Sequence, residues 1–215
     1  MKLYSYFRSS ASYRVRIALA LKGLPYDYAP VHLVKDGGQQ CSPAYRSINP
    51  DALVPTFVDG TNILTQSLAI IEYLDEVHTE PPLLPETPAD RAFVRSVAQH
   101  VACEVHPVNN LRVLQFLKKR FGINDRERSE WYRHWIDVGF SSLEVRLKSD
   151  SRVGEFIFGN TPTLADVCLI PQVWNARRFD IPLNSYPTIT RVANNAMALD
   201  AFQQAEPTSQ PDAEH

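Results

Sequence analysis

Apolar and polar residues alternate along "KLYSYF", and a period of two rich in aromatics predicts a short strand over Lys2–Phe7. The pattern then changes. From Val15 the apolar positions Val15, Ile17, Ala18, Leu19 and Leu21 predict a helix buried on most of its surface, closed by Lys22 and a C′ glycine at Gly23. "PYDYAPVHL" predicts a second strand, which Pro30 restricts to an edge or a bulge. A polar, turn-rich loop follows, and "VPTFVDGTNILTQS" then sets Asp59-Gly60 as a hairpin turn between two short strands. In "SLAIIEYLDEV", Leu68, Ile71, Leu74 and Val77 line one side of a helix with Ser67 at its N-cap.

The proline-rich "TEPPLLPETP" cannot continue that helix and serves as a linker. Beyond it the period is helical almost throughout. Val94, Val97, Val101, Val105 and Val108 recur every three or four residues, continued by Leu111, Leu114 and Leu117. Trp131, Trp135, Val138, Leu143 and Leu147 mark the next helix, and Thr163 with Asp166 has capping-box spacing ahead of an apolar run. A last helix is expected over Ile189–Phe202, then a frayed tail, "PTSQPDAEH". The organisation is an α/β domain over 1–79, a linker over 80–88 and an all-α domain over 89–215.

Composition narrows the function classes. The chain has 215 residues, 44% of them hydrophobic, enough for a sizeable core. A net charge of −2 gives no electrostatic case for nucleic acid or an anionic membrane as partner. No apolar run approaches the roughly 20 residues that span a bilayer, and "MKLYSYFRSS" lacks a signal-peptide core, so a cytoplasmic location is expected. Cys41, Cys103 and Cys168 form no CxxC and no metal quartet, and no metal is expected. Cys103 and Cys168 read as small core residues, whereas Cys41 sits in a polar loop.

The chemistry gathers in "RSSAS". Arg8, Ser9, Ser10 and Ser12 stand where the first strand gives way to the first helix. Three uses are open. A serine nucleophile lacks the G-x-S-x-G elbow and a recognisable His and Asp pattern. A plain helix cap with a solvated arginine is the second. The third is a helix N-terminus whose N–H groups and hydroxyls hold an anion. For a thiolate, a pKa drop from about 8.5 to about 6.5 requires roughly 2.7 kcal/mol, and the thiol must arrive on a bound molecule. In "EVHPVNNLRVL", His106 and Asn110 lie four apart, expected on one helix face near a disturbance at Pro107, and read as a site wall.

The strand–helix–strand–hairpin–helix order, with Val54-Pro55 before the third strand and Gln66-Ser67 opening a helix, resembles a glutathione transferase. "RSSASYRVRIALALKG", "KDGGQQ", "NPDALVPTF", "QSLAIIEYLDE", "LADVCLIPQVWNARRF" and "YPTI" are similar to the zeta class over nearly all of the chain. The resemblance implies a thioredoxin-like N-terminal domain, an all-α C-terminal domain, glutathione as cofactor and a homodimer. It implies reversible thiolate addition to a maleyl keto acid, giving cis–trans isomerisation of maleylacetoacetate in tyrosine and phenylalanine breakdown. Maleylpyruvate as substrate, α-halo acids as substrates, and a non-catalytic glutathione-binding module are the alternatives.

It further implies that Ser9, Ser10 and the N-terminus of the first helix hold the sulfur, with Arg8, Ser9 and Ser10 catalytic and Ser12 among the glutathione-binding residues. Gln66 and Ser67 would take the γ-glutamyl end, Val54 before a cis Pro55 the peptide backbone, and Gln40 the glycine end. His106 and Asn110 would contact glutathione or substrate, and Arg8, Arg112 and Arg178 the substrate's acidic groups. Ala11 stands where the class often has cysteine, which shifts the weight onto Ser9 and Ser10.

Overall fold

The computed structural model describes residues 1–214. It divides into two units, residues 1–82 together with the chain from Ala198 onward, and Leu83–Met197. In the first, β1 (Lys2–Ser5), α1 (Ser10–Leu21), β2 (Asp27–Pro30), a short α2 (Pro43–Arg46), β3 (Thr56–Asp59), β4 (Asn62–Thr65) and α3 (Ser67–Val77) follow in order. The sheet runs β2-β1-β3-β4, with β1 and β2 parallel and the other pairs antiparallel. Leu3 and Phe57 pair across its centre and are fully buried with Ile17 and Ile70. Pro30 ends the edge strand β2, where no outer neighbour requires its missing N–H.

Local chemistry closes α1 as the sequence predicts. Gly23 has φ +62°, and its N–H bonds Ala20 while the Leu24 N–H reaches back to Leu19, the paired bonds of a glycine-capped end. The Lys22 ammonium, its side chain fully covered, donates to Asp75 at 2.8 Å and to the carbonyls of His78 and Pro81. One cation thereby fixes the end of α1 to the end of α3.

The second unit contains α4 (Pro88–Gln99), a wide π-type turn over His100–Val105, a single turn α5 (His106–Val108), α6 (Leu111–Phe121), α7 (Asp125–Ser149), α8 (Leu164–Arg178) and α9 (Pro187–Met197). Val94, Val97, Val101 and Val105 are buried, as their period requires. The capping box forms at the head of α8: Thr163 donates to the Asp166 carboxylate from its N–H and its hydroxyl, and the Ile157 N–H adds a third bond at 2.9 Å. Burial pushes the Asp166 carboxyl up to about 6 even against those donors.

Several expectations change. The N-cap of α3 is Gln66, so Ser67 is its first helical residue. The final helix is two, α9 and α10 (Asp200–Ala205), because the chain turns at Ala198-Leu199. The tail is bonded rather than frayed through Glu214, with Gln210 donating to the Gln204 and Glu206 carbonyls and Asp212 accepting from the Phe7 N–H, while His215 lies outside the described residues. The segment from Ala198 groups with the first unit and not with the helical domain expected over 89–215. Cys103 is exposed on the wide turn; Cys168 is buried and Cys41 exposed, as expected. Among the described residues no helix is long and apolar enough to cross a membrane.

Asp166→Ala leaves three donors unpaired in the core and is expected to cost about 3 kcal/mol of unfolding free energy in urea titrations. Because folding raises this carboxyl from 3.8 to about 6, its own pH-dependent contribution is fully present below about 3.8 and is lost as pH rises through about 6.

Candidate active site

After β1 the chain leaves the sheet at Tyr6 and re-enters a helix at Ser10, and Arg16 fixes the path between. Its side chain is buried, and the guanidinium donates to the Phe7 carbonyl at 2.9 Å, the Tyr6 carbonyl at 3.4 Å, Ser5 Oγ at 3.2 Å and the Ala205 carbonyl at 3.0 Å. The loop is therefore held by a planar donor fork inside the first unit. Burial pulls the Arg16 guanidinium below its ordinary pKa, yet four acceptors face it.

On that loop Ser9 caps α1. Its Oγ accepts from the Ser12 N–H at 3.2 Å, and its carbonyl accepts the first helical bond from Tyr13. The Ser9 hydroxyl proton remains available to donate. Ser10 is buried at the first helical position, and the Ser12 hydroxyl is buried without a protein partner among the described residues. N–H groups of a helix's first turn have no carbonyl one turn back, so this end favours negative charge.

The other first-unit residues converge through shared partners. Arg14, buried on α1, donates to Ser67 Oγ at 3.2 Å and ties the head of α3 to α1. Ser67 keeps its own proton to donate. Gln66 before it has φ +68°, a left-handed value that costs a non-glycine residue about 1–3 kcal/mol and concentrates at functional sites. The Val54-Pro55 bond is cis, as the resemblance implied. Tyr45 and Asn49 both donate to the Leu53 carbonyl and contact Thr56 Oγ1, which brackets Val54-Pro55. Val54 packs with Tyr6 and Phe7, and among the described residues nothing bonds its N–H or carbonyl. Gln40 Nε2 donates to the Leu33 carbonyl, but its Oε1 is buried without a partner. Gly38 makes this possible: a Cβ there would lie 2.6 Å from Gln40 Nε2.

Arg8 lies beside the serines. Its guanidinium donates to Tyr6 Oη from Nε and Nη2, stacks 4.8 Å from the Phe7 ring centre, and contacts Glu214.

The second-unit residues are described apart. His106 and Asn110 do not share a helix face: α5 stops at Val108, and Asn110 is the N-cap of α6, accepting from the Arg112 N–H. The wide turn ahead of Pro107 absorbs the ring. Trp131 Nε1 donates to the Val108 carbonyl at 2.9 Å, and buried Asn109 donates to the Tyr132 carbonyl, which pins this corner to α7. Arg112 is exposed. Arg178 is exposed at the end of α8, over the rings of Trp174 and Phe179; Tyr132 stacks on that same Phe179 at 3.8 Å. Burial pushes the Tyr132 hydroxyl up to about 12, against the pull of Arg178.

Arg14 and Arg16, which hold the heads of α3 and α1, were missed by sequence reasoning. The only signal was two arginines inside the otherwise apolar "YRVRIALAL".

A thiol tripeptide with a carboxylate at each end fits the first-unit set. Hydroxyls head α1 for the sulfur, an unbonded Val54 main chain suits a peptide, Ser67 heads α3 for one carboxylate, and Gln40 offers an unpartnered oxygen to the far amide.

Comparisons agree with that fit. Residues 3–82 match the glutathione S-transferase N-terminal domain. The chain is 50% identical over 211 residues to a probable maleylacetoacetate isomerase of Vibrio cholerae, covering 98% of this chain and 97% of that protein. It superposes with TM-score 0.97 on the holo structure of a bacterial maleyl pyruvate isomerase, a zeta-class glutathione S-transferase, at 45% identity and complete coverage of both chains. A maleylacetoacetate isomerase of Methylobacterium extorquens, solved with malonate and glutathione bound, superposes with TM-score 0.96 at 42% identity, again over the whole of both chains.

Arg16→Met removes the fork from three carbonyls and is expected to cost about 3–4 kcal/mol of stability. Amide exchange should accelerate most over residues 6–12; uniform acceleration across the unit would contradict a local holding role.

Proposed function

This chain belongs to the zeta class of the glutathione S-transferase family, and on that premise we propose that it is a glutathione-dependent isomerase converting maleylacetoacetate to fumarylacetoacetate. The observation that carries the reading is the capped head of α1, where Ser9 and Ser10 stand with hydroxyls and leading N–H groups at a buried-arginine-held loop. When bound, glutathione supplies a thiolate that adds reversibly to the cis double bond and is regenerated.

The chain's own residues do the rest. Ser9 and Ser10 donate to the sulfur and, with the positive end of α1, favour its charged form. Gln66 and Ser67 hold the γ-glutamyl carboxylate, Val54 pairs with the cysteinyl backbone, and Gln40 and Ser12 complete the cradle. Arg8 lies on the loop of the sulfur site, where its guanidinium can stabilise negative charge on the keto acid's conjugated oxygen, an effect worth a few kcal/mol. Arg178 presents a planar cation for a carboxylate, held in place by Trp174 and Phe179. Arg112, His106 and Asn110 contribute as contacts to glutathione or substrate. Homodimerisation and a cytoplasmic location belong to this reading, and the exposed apolar side chains of Ile63 and Val77 supply surface for a subunit contact.

The test follows maleylacetoacetate and maleylpyruvate by absorbance with and without glutathione. Isomerisation only with glutathione, faster for maleylacetoacetate, is expected; a faster rate for maleylpyruvate would reassign the substrate. Ser9→Ala or Ser10→Ala is expected to lower kcat about 10²–10³-fold, the range for losing one donor at a developing charge. Full activity in both variants would contradict the role of the hydroxyls. Arg178→Met should raise KM about tenfold.

A further inference from the structure

The segment after α10 is built as a strap across the first unit. Gln210 is buried and donates to the Gln204 and Glu206 carbonyls, both at 2.8 Å. Asp212 is the anchor: it accepts from the Phe7 N–H at 3.1 Å and from the Tyr28 hydroxyl at 2.6 Å. Ala213 packs on the cluster of Tyr6, Phe7, Val31, Tyr45 and Val54. That places Glu214 among three donors, Arg8 Nη2 at 3.2 Å, His32 Nε2 at 3.1 Å and Lys35 Nζ at 2.9 Å.

Anchor and tip differ in kind. Asp212 engages a main-chain N–H and a half-buried tyrosine. The Glu214 side chain is 42% exposed, and its arginine and lysine partners are 36% and 61% exposed, so solvent screens each contact and any one is readily exchanged. His32 joins as a neutral donor: its Nδ1 accepts from the N–H groups of Val34 and Lys35, which leaves the proton on Nε2. Two full positive charges and one neutral N–H thus surround a single carboxylate. Lys35 and His32 hold the Glu214 carboxyl below its ordinary pKa, so it is charged at neutral pH.

We infer that Arg8, His32 and Lys35 form a carboxylate subsite, and that Glu214 is its tethered occupant, a latch that an incoming carboxylate must displace. This rests on the functional reading above only in naming the ligand. The carboxylate is either that of the acidic substrate or the glycine end of glutathione, and the two share the same chemistry. A tether of this kind competes at a high effective concentration, which weakens apparent ligand affinity.

The test measures binding by calorimetry, with malonate as the dicarboxylate probe and with glutathione, for the full chain and for Glu214→Gln. Glu214 is partly exposed and the variant is isosteric; equal thermal midpoints check that it folds. Removing the competing charge is expected to tighten malonate about three- to fivefold, the scale of exposed ion pairs, with glutathione unchanged. Tightening of glutathione alone would assign the subsite to its glycine carboxylate, with the latch retained. Unchanged or weaker affinity for both ligands, or binding of neither by either form, overturns the latch. Asp212→Asn, which frees the anchor while keeping Glu214, should tighten the same ligand. Neither measurement needs turnover, so absence of isomerase activity with the shift intact would retire the isomerase reading alone.

Discussion

One buried guanidinium holds the candidate site together. Arg16 lies inside the first unit and gives its donors to the end of β1, to two successive carbonyls of the loop that follows, and to a carbonyl at the end of α10. Carbonyls leaving a sheet have lost their ladder partners and would be costly to bury alone. Here they are answered by the helix that the same loop is about to enter. The loop can then carry Arg8 and Ser9 in a fixed relation to the head of α1, and the chain from Ala198 is drawn back onto the first unit. Arg14, two residues earlier and so on the opposite side of α1, does for Ser67 and α3 what Arg16 does for the loop.

That arrangement explains why so much polar chemistry survives beside a core. Two of the hydroxyls are held by accepting a bond from the protein while keeping a proton to donate: Ser9 accepts from the Ser12 N–H, and Ser67 from Arg14. Orientation is therefore set before any ligand arrives, which is the economical form of electrostatic stabilisation. Ser12 Oγ and Gln40 Oε1, both in the first unit, are buried without a partner among the described residues.

What the sequence revealed was local. The glycine closing α1, the Asp59-Gly60 turn and the Thr163 and Asp166 box are each decided by residues within a few positions, and each appears as read. The valine series is buried from Val94 to Val105 but does not run on as one helix, since the helix breaks between Val108 and Leu111. Long-range contacts defeated the same reasoning. Arg16 meets a carbonyl 189 residues away, and Asp212 a main-chain N–H 205 residues away, so an internal arginine and a polar tail carried no local mark of their partners. His106 and Asn110 misled for another reason: the spacing of four presumes a regular helix, and α5 stops at Val108, leaving Asn110 as the extended N-cap of α6. Ser67 was one place off its cap because Gln66 adopts a positive φ that composition does not announce. The family resemblance supplied the residues that spacing could not, notably Val54-Pro55 and Arg178, whose positions acquire meaning only in three dimensions.

On the proposed reading, the head of α1 stabilises a thiolate. The most direct measurement is the pKa of glutathione's thiol while bound, read from the ultraviolet absorbance of the thiolate across pH. The account predicts a value about two units below the ordinary thiol value of about 8.5, moving back up in Ser9→Ala or Ser10→Ala. A bound thiol that titrates at its free value, or one indifferent to both serines, would contradict it.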